Sequence, residues 1–121
     1  MTHVLTMIHR IQQCNDKEEK KWIIYHYRSH YGVKELLLTR YRQGEAIQIQ
    51  PQSSHPPCSI SLLELMRQVR QSSSPYPLLL PLVQARMSMV RHQGLFDLYR
   101  SVFEKTLELG LSEEEVLSLI Q

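Results

Sequence analysis

Residues 35–50 read Glu35-Leu36-Leu37-Leu38-Thr39-Arg40-Tyr41-Arg42-Gln43-Gly44-Glu45-Ala46-Ile47-Gln48-Ile49-Gln50, and the conformation of this stretch decides the fold class. Leu37, Thr39 and Tyr41 alternate with Leu38, Arg40 and Arg42. Beyond Gly44, Ile47 and Ile49 alternate with Gln48 and Gln50. Period two on both sides of a glycine predicts a β-hairpin with Gly44 in its turn. Pro51 ends it, because proline has no N–H for a ladder. One face would carry Leu37, Tyr41, Ile47 and Ile49, and the other Arg40, Arg42, Gln48 and Gln50. A helix through residues 34–42 competes, since Leu36, Leu37 and Leu38 also suit a helix. The hairpin is the favoured reading.

Outward from this stretch the pattern turns helical. Val4, Ile8 and Ile11, with Leu5, Met7 and Cys14, stand at helical spacing over residues 3–14. Asn15 reads as an N-cap with Glu18 three residues on, opening a helix over about residues 16–31 that Gly32 closes. Ser61 and Glu64 repeat the capping signature ahead of Leu62, Leu65, Met66 and Val69. Helices resume near Leu79, with Pro81 tolerated in the first turn. An apolar stripe from Leu82 to Val90 ends before Gly94, and another runs from Leu95 to Leu109 until Gly110. Ser112 with Glu115 caps a last short helix, where Glu113–Glu115 suit the positive helix start. All four glycines thus fall at expected boundaries.

The predicted class is α+β, predominantly α-helical: two N-terminal helices, one hairpin, then three to four C-terminal helices. The 121 residues suit a single domain. A Pro/Ser-rich connector at 51–60 divides it into sub-halves 1–50 and 61–121. Each half is marginal in size for a lone core, which favours halves packed on each other or on a second subunit.

Composition narrows the function classes. At 42% hydrophobic and 21% charged residues the chain is too apolar to be wholly disordered. With 4 glycines, all at boundaries, a phosphate-cradling loop has no support. Residues 1–100 carry 13 basic and 7 acidic side chains, whereas residues 101–121 carry Lys105 against Glu104, Glu108, Glu113, Glu114 and Glu115. Such a gradient suits polyanion contact, association of the opposite ends, or solubility alone. Two cysteines, Cys14 and Cys58, without a signal-peptide pattern point to reduced thiols and a cytoplasmic setting. The longest apolar run, around Leu78–Val83, is too short for a membrane span.

The segment from Trp22 to Tyr31 holds the only Trp, three of the six Tyr and two of the six His. On a continuous helix Ile23, Tyr27 and Tyr31 share one row and His26 and His30 the adjacent one. His26 and His30 make a two-ligand metal clamp at best. The third ligand would have to come from His55 or Cys58, so a polar–aromatic helix edge is preferred and no metal or cofactor is expected. Cys58 has His55 near it, but on a Pro-rich loop that does not hold catalytic geometry. Asp16 and Asp97 are the only aspartates, each at a helix start, and no paired carboxylates stand outside helix starts. An enzyme is therefore not expected.

Residues 109–116 resemble the closing helix of some small bacterial transcription regulators. The winged-helix body that precedes it there is not visible, so no function is carried over. The reading is a small non-enzymatic adaptor, inhibitor or regulatory protein acting through protein–protein contacts, with a homodimer among the options. The expected contact residues are Trp22, Tyr25, Arg28, Arg40 and Arg42, residue types enriched at interface cores. The alternative is a nucleic-acid-binding regulator using the basic–aromatic helix and the Arg/Gln hairpin face. No membrane contact and no small-molecule substrate are expected.

Overall fold

The computed structural model describes residues 2–50, 57–72 and 78–121. They form α1 (Thr2–Gln13), α2 (Lys17–Tyr27), α3 (Val33–Arg40), α4 (Leu62–Gln71), α5 (Leu79–Met87), α6 (Gln93–Phe103) and α7 (Glu113–Ile120). No strand occurs among the described residues, so the fold is all-helical and the α+β class with its hairpin is overturned.

The overturned stretch splits into two pieces with different physics. Residues 33–40 are α3, the hub of the structure, packed against α4, α6 and α7. Val33, Leu36, Leu37 and Thr39 are buried on it. A helix with neighbours on several sides does not show a clean polar stripe, so its period is hard to read. Even its buried polar group is satisfied locally: Thr39 Oγ1 donates to Glu35 O at 2.8 Å and accepts from Arg70 Nη1 at 3.0 Å. Residues 45–50 belong to no helix, and the alternation there holds. Ile47 and Ile49 are buried, while Gln48 and Gln50 are exposed.

What lies beside residues 45–50 is not a strand. Ile47 N–H donates to Phe103 O at 2.9 Å, at the end of α6. Ile49 N–H donates to Glu104 Oε2 at 2.9 Å. Gln50 N–H donates to Gln84 Oε1 at 2.8 Å, and Gln84 Nε2 returns a bond to Gln50 O at 3.1 Å. Lys105, held at φ 60, donates from Nζ to the carbonyls of Arg42 and Gly44. Burial pushes the Lys105 ammonium below its ordinary range, and Arg42 and Arg40 push it the same way. Side chains and one helix-end carbonyl thus do the work of a second strand.

Smaller boundaries also move. Asp16, not Asn15, caps α2 by accepting from Glu18 N–H at 3.2 Å. α2 ends at Tyr27, so His30 and Tyr31 lie in the following turn and the expected helical rows stop short. Gly32, at φ 85, enters α3 rather than closing the helix before it. Gly94 sits inside the first turn of α6, which His92 caps, and is not a boundary. The helix expected to reach Leu109 stops at Phe103, after which Leu107 and Leu109 are buried on a non-helical segment. Ser61 caps α4, and Ser112 with Glu115 forms a capping box on α7. Of the 51–60 connector, residues 51–56 lie outside the described residues.

Buried side chains from all seven helices join one hydrophobic cluster. α3 from the N-terminal part packs on α4 and α6 from the C-terminal part, and α1 packs on α2 and α6. At α7, Glu115 bridges Lys17 at 3.1 Å and Lys21 at 3.2 Å on α2. The acidic tail and the basic body therefore meet within one molecule. The Ser112 backbone N–H, then Lys17 and Lys21, hold the Glu115 carboxyl at about 2, far below the usual carboxylate range.

Candidate docking face

α2 turns Ile23 and Ile24 into the core. By the 100° step of a helix, Trp22, Tyr25 and His26 then project outward. Trp22 is 57% exposed and Tyr25 51%. Tyr31, in the turn beyond, is 70% exposed. The Trp22 and Tyr25 rings are braced rather than loose. Trp22 and His26 stack with centroids 5.0 Å apart and planes 9° from parallel. His26 meets Tyr27 edge-on at 5.6 Å, and Tyr27 meets His30 at 5.1 Å. His3 lies 5.0 Å from His30 and bonds Tyr31 O through Nε2 at 2.8 Å. The Arg28 guanidinium sits 3.6 Å over the Tyr25 ring and donates to Tyr25 O at 2.6 Å.

Trp22, Tyr25 and Arg28 therefore share one helix and its C-terminal turn. Arg40 and Arg42 lie on another part of the fold, at the end of α3 and just beyond it. Arg40 Nε donates to Leu107 O at 2.8 Å, and its guanidinium covers Tyr41. Arg42 donates to the carbonyls of Gln43 and Glu45. Arg40 ties the end of α3 to the segment after α6, and Arg42 closes its own loop. The Arg/Gln hairpin face expected for nucleic acid has no counterpart, because there is no hairpin to carry it.

His26 lies on α2 and His30 in the turn beyond it, each packed against the Tyr27 ring. Among the described residues no group of three or more His, Cys, Asp and Glu side chains could hold a metal ion. Cys58 is buried, Cys14 is half-buried, and His55 lies outside the described residues. No helix among them is long and apolar enough to cross a membrane.

Sequence reasoning placed Tyr31 on the inner row, whereas the structure turns it outward beside a cleft of about 490 Å³. That cleft lies between the residue 28–35 turn and the start of α4, and includes Lys34, Glu64 and Arg67. Arg67 and then Gln68 hydrogen-bond Glu64 and hold its carboxyl at about 2. The usable signal was Gly32, one residue after Tyr31, because a left-handed residue redirects the chain there. A second cleft of about 440 Å³ separates α1 from α6, with Leu5, Ile8 and Leu98 in its wall and His9, Asp97 and Glu108 around it. No family model, no curated protein and no solved structure matches the chain.

Proposed function

We propose that this chain is a small non-enzymatic regulatory or adaptor protein that docks onto another protein through the outer face of α2 and the turn after it. The observation that carries the reading is the exposure of Trp22, Tyr25 and Tyr31 next to a core that buries every other described aromatic of Phe or Tyr type except half-buried Tyr27. Covering a large apolar side chain is worth on the order of 1.5–3 kcal/mol. The stacked Trp22–His26 pair and the Tyr25–Arg28 pair are held in place beforehand, which lowers the entropy cost of docking. A cytoplasmic setting, in which Cys14 and Cys58 stay reduced, belongs to the same reading, and a second copy of the chain belongs among the partners to test. A protein is favoured over nucleic acid because residues 33–40 are helix, which removes the Arg/Gln hairpin face that would meet phosphates and bases.

Trp22 is the only tryptophan, so its emission reports on this face alone. A co-purifying partner should form a stoichiometric complex and shift Trp22 emission to the blue. A variant carrying Trp22→Ser, Tyr25→Ser and Tyr31→Ser should fold and lose the complex. Undiminished complex formation by that variant would refute the reading.

A further inference from the structure

The cleft beside Tyr31 has an uneven charge pattern. Three of its charged lining groups are neutralised within the fold: Glu35 pairs with Arg70, and Glu64 and Arg67 pair with each other. Two are not. Lys34 is exposed and makes no hydrogen bond or ion pair to a described residue, and Arg28 bonds only the carbonyl of its own turn while covering Tyr25. Both line the cleft, with Tyr31 between them in sequence.

We infer that this cleft receives an acidic segment of a partner protein, its carboxylates against Lys34 and Arg28 and an apolar side chain against Tyr31. The inference rests on the docking reading above and adds the chemistry of the partner. Charge complementarity selects the occupant: unpaired cations beside an exposed ring fit a peptide that alternates carboxylates with apolar groups. A polynucleotide fits less well. Glu35 and Glu64 also line the cleft, and carboxylates accept hydrogen bonds but cannot donate them. A peptide brings backbone N–H groups to those oxygens, whereas a phosphodiester presents acceptors and negative charge.

The test is fluorescence anisotropy with a labelled short peptide of Glu interspersed with Leu, its Gln-for-Glu counterpart, and oligothymidylate. The Glu peptide should bind, more weakly as salt rises, and at least about tenfold more tightly than the Gln peptide. Lys34→Glu should weaken it by about tenfold or more. The same substitution adds a negative charge to the first turn of α3, which favours the helix, so thermal stability should hold or rise and unfolding is not the cause of lost binding. Tyr31→Ser should weaken binding as well. No binding of the Glu peptide, equal binding of the two peptides, or preference for the oligonucleotide overturns the inference. If Lys34→Glu retains a partner that the Trp22/Tyr25/Tyr31 variant loses, the acidic-segment inference falls and the docking reading stands. If the aromatic variant retains it, the docking reading falls.

Discussion

Gln84→Met tests the feature that replaced the hairpin. Gln84 is 5% exposed, and its amide closes a two-bond ring with the backbone of Gln50 at 2.8 and 3.1 Å. Methionine has nearly the same length and shape, so no cavity opens and the change isolates the hydrogen bonds. Each is worth about 1 kcal/mol net. The Gln50 backbone is partly reached by water, so the penalty for leaving it unpaired is small, and the expected loss is about 2 kcal/mol. At about 2.1 cal/mol/K of unfolding entropy per residue over 121 residues, this lowers Tm by about 8 °C. Gln48→Met, on the exposed neighbour, should change stability by less than about 0.5 kcal/mol. Thermal unfolding followed by circular dichroism reads both. Amide exchange should quicken at Gln50 while Ile47, bonded to Phe103 O, stays protected. An unchanged Tm and unchanged Gln50 exchange in Gln84→Met would falsify the account of how residues 45–50 are held.

Acid should loosen α7 from α2. The Glu115 carboxyl is depressed to about 2 in the fold, against about 4.3 in an unfolded chain. Its contribution is therefore fully present above about pH 4.5 and is lost as pH falls through about 2. Amide exchange at Val116 and Leu117 across that window reads the loss, and Glu115→Gln should flatten the profile. Gly110→Ala should destabilise by roughly 1–2 kcal/mol. Gly110 sits at φ 76, and a Cβ there would meet Lys20 Nζ at 2.5 Å, displacing the ammonium that bonds Leu109 O at 2.9 Å. Chemical denaturation measures it, and a stabilised variant would contradict the geometry. Trp22→Ala should leave stability within about 0.5 kcal/mol. Ile24→Ala, two residues on, across the helix and fully buried, should cost about 2–5 kcal/mol. Comparable losses in the two would mean that Trp22 serves the fold rather than a surface.

Local chemistry made much of the helical frame legible. Ser61 and Ser112 signal helix starts because their side chains accept from N–H groups three residues on, and Glu115 returns the bond at Ser112. The stripe Val4, Met7, Ile8 and Ile11 is buried as its spacing implies. Less of the candidate site could be read. Trp22, Tyr25 and Arg28 lie together because they share one helix and its end. Tyr31 escaped because the helix row that placed it inward breaks after Tyr27. Lys34, Glu64 and Arg67 come together only when α3 and α4 do.

The amino-acid order by itself determined which side chains of residues 47–50 leave water. Ile47 and Ile49 are buried and Gln48 and Gln50 exposed, as their alternation requires. Only the tertiary structure decided what covers them. Periodicity records the direction of burial, not the identity of the covering element. Backbone outside a helix needs hydrogen-bond partners, and these can come from a strand or from Gln84, Phe103, Glu104 and Lys105, far along the chain. The same limit applied to residues 33–40. Packed by α4, α6 and α7, this helix shows no single apolar stripe, and its period emerged only once those neighbours were in place.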